Sequence, residues 1–442
     1  MENTNNTKSN IVVFKLGGTS QNIIAYNNLK TIIEEIYKNN KIFIVVSAIS
    51  GITNILLNFE GEILDNNHKC CLKIIKKHTE FIKTLNFDEN FERQTIQQIE
   101  YMINYIFKSN KHNYNTDVWK RQRIVLGEQL SSLILNKFLN YNNFKSNNLL
   151  ATDIIYFTHQ SKNLNTLKVN SETILEEFNR NNIIITQGFT ARDFQDNVTV
   201  LMGRGSSDTS GAIFASFLNA SEYQIWTDVA GIYDIDPRLC KEAKMIVQLN
   251  YEIAQEMAGM GAKIIHPYCI KPCQKDNIPI TIRNSFNLKD PITIINNEKN
   301  NTHAYSIQKN IIIFKIKSIN MWHGVGFASD IFETFKKYNI DIDIITTSQF
   351  EITITIKKED NEEGINETID NLRCKYNVEI FDNYNLVSIV NQNILKSDRI
   401  NKIHSISSKY DILLESISSN NYSISFAIKE DPYDLLLDLY KN

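Results

Sequence analysis

Val198 to Asp228 reads VTVLMGRGSSDTSGAIFASFLNASEYQIWTD, and the rest of the chain can be placed around it. Val198, Val200 and Met202 alternate with Thr199 and Leu201, a strand pattern that ends in a turn at Gly203 and Gly205. A helix follows, with Ser207 or Asp208 as its cap, and runs through Ala212, Ile213, Ala215, Ser216 and Phe217 toward a second strand at Tyr223 to Thr227. Free amides and the positive end of the helix dipole then point at one spot, a geometry that receives phosphate. Arg204 sits inside the turn, where its fork suits a carboxylate or a phosphate. Neither common nucleotide fingerprint fits: no glycine follows Gly205 at the third position, and GxxxxGK[ST] occurs nowhere. Taken alone, the pattern is equally that of an ordinary strand-to-helix turn with an exposed arginine.

A chain of 442 residues has room for two or three domains. With 42% hydrophobic residues and a net charge of −3, it is an ordinary soluble chain with no basic surplus for nucleic acid. No apolar run reaches bilayer length and the N-terminus is polar, so the expected location is cytoplasmic, with no membrane partner. Six cysteines are sparse and should be reduced; Cys269 and Cys273 share a helix-face spacing but lack a second ligand pair for a metal.

In chain order, Met1 to Asn10 reads as a disordered tail and Ile11 to Leu16 as a buried strand entering Gly17-Gly18-Thr19-Ser20. Lys15 closes that strand, placed to put its ammonium in a glycine-lined turn or to extend into solvent. Lys41 to Ser47 is a second buried strand, followed by Ser50, Gly51 and Thr53. Ligands collect at the carboxyl ends of strands in open α/β sheets, so the two loops should face one crevice. Glu60 to His112 reads as a helical cover. Asp117 is placed to cap the next helix, in which Gly127 and Glu128 interrupt an apolar face; a glutamate there needs a cation or an outward position. Thr227 to Arg238 is a strand end and a turn rich in carboxylates, and His266 before Pro267 reads as structural.

From Ile311 onward the order is β-α-β-β-α, with strands Ile311 to Lys317, Asp341 to Thr346 and Glu351 to Lys357. A shorter echo from Tyr384 makes a repeated ferredoxin-like arrangement. Gly324-Val325-Gly326 lacks the third glycine of a nucleotide turn and reads as part of a small-ligand interface.

FKLGGTS from Phe14, VVSAISGITN from Val45, LGEQLS from Leu126, GRGSSD from Gly203, WTDVAGIYDIDPR from Trp226 and GAKIIHP from Gly261 together resemble the motifs of aspartate kinases, in that family's order. The likeness spans residues 11–290, and Leu288 to Asn442 is similar to the family's paired ACT regulatory domains. It implies an α/β fold: an amino-acid-kinase three-layer αβα sandwich over 11–290 after a tail at 1–10, then two ferredoxin-like ACT domains over 291–442. It implies transfer of the γ-phosphate of MgATP to the β-carboxylate of L-aspartate, giving 4-phospho-L-aspartate, the first step toward lysine, threonine and methionine. ATP and Mg²⁺ are the expected cofactors and a homodimer or larger assembly the expected state. No homoserine dehydrogenase is expected after the ACT region.

On the same resemblance, Arg204 holds the aspartate α-carboxylate, with Ser207 and the Gly205 and Ser206 backbone beside it, and Glu128 pairs with the α-ammonium. Ser47 and Thr53 line the pocket. Lys15, beside Gly17 and Gly18, bridges the attacking carboxylate and the γ-phosphate, and Asp208 orients that lysine or the metal. Thr227, Asp228, Tyr233, Arg238, Lys263 and Ile264 hold ATP. Met321, Gly324, Gly326, Asp343 and Ser348 fall where lysine-inhibited, monofunctional members hold lysine. The chain departs from the family pattern at Ser206 and Ala230, where glycine and aspartate are usual, and Gly324, Ala328 and Gln349 replace bulkier or charged residues, which should weaken inhibition. A carboxylate acceptor needs no general base at neutral pH, so catalysis should rest on positioning and on neutralising two anions that must meet. Two alternatives stand beside this reading: a kinase for glutamate or carbamate, and a ligand sensor whose kinase core has decayed.

Overall fold

A computed structural model describes residues 9–58, 64–108, 116–157, 167–203, 205–261, 265–299, 302–318, 325–358, 361–396 and 399–441. The chain divides into two compact units. The first gathers Met1–Ile232, Ile246–Tyr251 and Ile264–Lys299, and the second Tyr233–Met245, Glu252–Lys263 and Asn300–Asn442.

The first unit is built on eight strands: β1 (Ile11–Leu16), β2 (Lys41–Val46), β3 (Ser146–Asn148), β4 (Ile183–Gln187), β5 (Glu222–Thr227), β6 (Gln248–Asn250), β7 (Ile280–Asn284) and β8 (Thr293–Asn296). Their order is β6-β8-β7-β5-β1-β2-β4-β3. Every pairing is parallel except β7 with β8. The central strands are apolar on both faces, as a parallel sheet covered on both sides requires.

The period of two sorts their side chains into two cores. Phe14, Leu16, Ile42, Ile44, Val46, Ile183 and Ile185 meet helices α1 (Ile23–Ile36), α2 (Ile52–Leu57), α3 (Leu64–Lys83), α4 (Glu89–Lys108) and α5 (Asp117–Tyr141). On the other face, the Phe43 ring lies tilted 4.7 Å from Phe214 of α6 (Ser206–Phe217) and edge-on 6.5 Å from Phe178. The result is three layers, αβα. Ser9 is tied down just before β1, its hydroxyl donating to the carbonyls of Leu218 and Asn219 at 3.0 and 2.9 Å.

Several local expectations change. Of Val198 to Met202, only Thr199–Leu201 is strand, and it belongs to a separate four-stranded sheet with Ile155–Phe157, Lys168–Val169 and Thr190–Asp193. Val200 alone is buried there, too little apolar surface for a strand covered on both faces. The cap of α5 is Thr116, not Asp117: its side chain accepts the Trp119 amide at 3.3 Å, and Asp117 takes the first turn. Gly127 and Glu128 do not interrupt α5, which runs unbroken and is buried over most of its length.

The second unit carries one antiparallel sheet of β9 (Ala304–Lys317), β10 (Ile345–Thr347), β11 (Glu351–Lys357), β12 (Asn377–Val390), β13 (Ile412–Ile417) and β14 (Ser423–Ile428), in the order β10-β11-β9-β12-β14-β13. Helices α8 (Phe327–Lys337) and α9 (Glu362–Arg373) cover one half, and α10 (Ile400–Ser407) and α11 (Pro432–Lys441) the other; α7 (Pro267–Lys275) belongs to the first unit. Each half repeats the ferredoxin-like order. The repeats share the 14-residue strands β9 and β12, whose register shifts between Gln308 and Ile313. The sequence places the start of β9 at Ile311 because the preceding AYSIQKN is mostly polar; of those residues, Ala304 to Gln308 pair with Leu386 to Val390.

Candidate active site

Alternation along β1 turns Lys15 to the same face as Val13, the face that α6 covers. Its ammonium meets Asp208 in the first turn of α6 at 2.7 Å, with the two side chains only 12% and 16% exposed. The same ammonium lies 3.6 Å from where a Cβ on Gly17 would stand, so it occupies the glycine turn rather than solvent. Backbone bonds hold that turn: the Gly17 amide donates to Trp226 O at 3.1 Å, and the Ser50 amide to Gly18 O at 3.1 Å. A Cβ on Gly18 would come within 2.7 Å of Ala48 O, so the loops after β1 and β2 are in backbone contact. They face each other, as two neighbouring parallel strands ending together dictate.

The start of α6 differs from the sequence reading. Neither Ser207 nor Asp208 caps it; the cap is Gly205, in the left-handed region at φ +69°. A side chain at Gly205 would stand 2.3 Å from the His266 ring. Asp208 is engaged by Lys15 instead, and its carbonyl accepts the Tyr223 hydroxyl at 2.8 Å. Ser206 ties the turn shut by donating to Gly203 O at 2.6 Å, while Ser210 donates to Ser206 O and accepts from the Phe189 amide. Ser207 fills the space over Gly188, whose Cβ would lie 2.7 Å from it. His266 is structural, its ring accepting the Tyr268 amide at the N-cap of α7.

Glu128 is a strongly perturbed carboxylate. It is 3% exposed, its Oε1 accepts the Ala48 amide at 3.3 Å, and among the described residues its Oε2 has no hydrogen-bond partner. Burial pushes its pKa from the usual 4.5 to about 7, against the lowering by backbone hydrogen bonds. Gly127 brings it there, since a Cβ at that position would lie 2.8 Å from the Ala48 side chain. Ser47, its amide bonded to Leu16 O at 3.0 Å, and Thr53, in the first turn of α2, flank the same half-buried loop. The structure thus gathers Lys15, Gly17, Gly18, Ser47, Thr53, Glu128 and Asp208 around the ends of β1 and β2.

Thr227 ends β5, and its hydroxyl donates to the exposed Asp228 at 3.2 Å. Tyr233 and Arg238 belong to the second unit, where Arg238 forks onto Asp236 through bonds of 3.0 and 2.7 Å. In that unit Gly326 caps α8 at φ +89°. Asp343 accepts from Gln308 at 2.7 Å with Lys357 at 3.8 Å, and the Ser348 amide donates to Glu351 O. Arg204, Lys263, Ile264, Met321 and Gly324 lie outside the described residues. Sequence reasoning missed the backbone amide of Ala48, which holds Glu128, and the buried Ser20–Ser285 hydroxyl pair at 2.7 Å beneath the Gly17 turn. No local pattern marks either.

Among the described residues no helix is long and apolar enough to cross a membrane. Residues 10–284 match the Amino acid kinase family, and residues 315–368 match an ACT domain. The chain is 30% identical to the aspartokinase of Chlamydia pneumoniae over 323 residues, covering 72% of this chain and 68% of that one. It is 26% identical to the lysine-sensitive aspartokinase 3 of Escherichia coli, covering 98% and 99% of the two chains. In fold it is similar to the crystal structure of E. coli aspartokinase III in complex with aspartate and ADP, with a TM-score of 0.84 at 24% identity over 98% of this chain and 99% of that one. The chain therefore belongs to the amino acid kinase family and, within it, to the aspartokinases.

Proposed function

We propose that the site around β1, β2 and α6 binds L-aspartate and MgATP and passes the γ-phosphoryl group to the aspartate β-carboxylate, forming 4-phospho-L-aspartate. The observation that carries this reading is Glu128, a buried carboxylate with one oxygen satisfied by a backbone amide and the other without a hydrogen-bond partner among the described residues. An unpaired buried charge is costly, and a substrate ammonium supplies what it lacks. Arg204, from the turn before α6, takes the α-carboxylate, so the amino acid is held at both charged ends and its side chain is left to react. Ser47, Thr53, Ser207 and the Gly205 and Ser206 backbone line the pocket.

The acceptor carboxylate is already ionised, so the chain's task is to bring two anions together. Lys15 stands at the glycine turn, where its ammonium neutralises charge on both the attacking carboxylate and the transferring group, and Asp208 fixes its position from α6. Gly17, Gly18, Thr227 and Asp228 serve the nucleotide on this unit, and the resemblance adds Ile264. Mg²⁺ would be held mainly by the nucleotide phosphates with few protein carboxylates, of which Asp208, in the first turn of α6, would be one; when bound, the ion would spread the charge that builds up on the phosphates. Through its ACT region the chain is proposed to respond to an amino acid, lysine by resemblance, and to assemble as a dimer or larger.

Hydroxylamine trapping tests the reaction. Aspartyl hydroxamate should form only with aspartate, ATP and Mg²⁺ together, and glutamate should not replace aspartate. Hydroxamate formed from glutamate at a similar rate, or none from aspartate, would refute the assignment.

A further inference from the structure

Lys77 lies on α3, outside every motif the sequence singled out, yet its ammonium reaches across to the Ser50 carbonyl in the loop after β2. Ser50 is a bridge. Its amide donates to Gly18 O at 3.1 Å, so one residue ties the Lys15–Gly18 turn on one side to α3 on the other. Two residues earlier, the Ala48 amide holds Glu128. One residue later, Gly51 turns through φ +82° to start α2 and present Thr53, and its missing Cβ would lie 3.3 Å from the Lys77 ammonium. The loop is therefore gripped by the Gly18 turn, by α5 through Glu128, and by α3 through Lys77.

Cys70, Cys71, Ile74, Phe81 and Ile82 anchor α3 in the core, so Lys77 holds Ser50 from a packed helix. Among the described residues it is paired with no carboxylate, and its charge is directed at a backbone carbonyl, a stronger bond than a neutral donor makes. α2 starts without a side-chain cap, so its orientation depends on what holds Ser50 and Gly51.

We infer that Lys77 is a positioning residue for the amino-acid half of the site: by clamping Ser50 it sets the Ala48 amide and Thr53 at the spacing that the substrate's ammonium end requires. This rests on the reading of Glu128 and the β2 loop given above. Lys77 touches no substrate itself. Because its effect passes through the β2 loop, it should act on aspartate binding and leave nucleotide binding alone.

The test compares Lys77→Met and Lys77→Arg with the parent in steady-state assays varying aspartate and ATP separately, alongside thermal melts. Lys77→Met should raise the aspartate KM about tenfold, with the ATP KM and kcat within about threefold, the pattern of lost ground-state binding. Lys77→Arg, which keeps a charged donor, should recover most of that loss. An unchanged aspartate KM in Lys77→Met overturns the inference. So does a parallel rise in both KM values with a lowered Tm, which would mark a purely structural contact. Glu128→Gln separates the two levels: if it raises the aspartate KM while Lys77→Met does not, the clamp is wrong and the site stands; if neither does, the site itself is misplaced.

Discussion

Lys15 and Glu128 carry opposite burdens. Lys15 is a nearly buried cation paired with Asp208, so removing it takes away the charge that lets two anions approach and also leaves Asp208 without its partner. Lys15→Ala should lower kcat by about 100-fold or more, the loss seen when one preorganised electrostatic donor is removed, and lower Tm as well, whereas Lys15→Ala with Asp208→Asn should recover Tm but not kcat. Turnover close to the parent's would show that the phosphoryl group travels elsewhere. Glu128 is a buried acid whose pKa is raised to about 7, so its contribution to stability has the reverse sign of a paired carboxylate. Folding favours its protonated form. That advantage is full below the unfolded value near 4.5 and is lost as pH rises through about 7, a difference of roughly 3 kcal/mol at most. Aspartate, bringing an ammonium to the ionised form, should offset the loss. The rise in Tm on adding aspartate is thus expected to be larger at pH 8 than at pH 5.5, and Glu128→Gln should flatten that difference. An aspartate-induced rise independent of pH in the parent would remove Glu128 from the substrate.

Whether a helix start can hold a ligand depends on the backbone that launches it. At α6 that is Gly205, held at positive φ with the His266 ring against it, and two separate costs meet any side chain there: the left-handed conformation and the collision. Gly205→Ala should therefore cut kcat/KM by about 10-fold or more through displacement of the α6 start. Adding His266→Ala should restore part of it, because only the collision is relieved. No recovery in the double variant would put the whole cost in the backbone angle. The sequence shows why such a turn is needed but not which residue caps it: GRGSSD offers Gly205, Ser206, Ser207 and Asp208 as candidates, and the choice falls to Gly205 because Lys15, far away in the chain, claims Asp208. Buried strands such as β1 and β2 were legible almost to the residue, since continuous apolar runs ending in glycine or small hydroxyl residues have few other readings. The Thr199–Leu201 strand was legible as a strand but not as to its sheet, because alternation reports local geometry and only burial on both faces assigns a strand to a parallel core. Long-range polar bonds, Ala48 to Glu128 and Lys77 to Ser50, leave no trace in spacing at all.

For the molecule as a whole, the proposal to test is that the ACT region answers lysine. Inhibition is a coupling between two sites, and a ligand shifts the balance only by the difference in its affinity for the two states. By resemblance Asp343 is the carboxylate that a lysine ligand would engage, and here it already accepts from Gln308 at 2.7 Å with the Lys357 ammonium at 3.8 Å. An incoming ammonium must compete with a cation supplied by the chain itself, in addition to the changes at Gly324, Ala328 and Gln349 that the sequence shows. Lys357 is nearly half exposed, so solvent screens the pair and the competition is modest. Lys357→Met should lower the lysine concentration for half-inhibition by about 2- to 5-fold, the range of an exposed ion pair converted to affinity, while leaving kcat without lysine unchanged. Asp343→Asn should raise it instead. By reciprocity, saturating aspartate must weaken lysine binding by the same factor that lysine weakens aspartate binding, which calorimetry on the parent can check. If Lys357→Met and the parent give superimposable lysine titrations, Asp343 is a structural partner of Gln308 and the inhibitor is held by other residues.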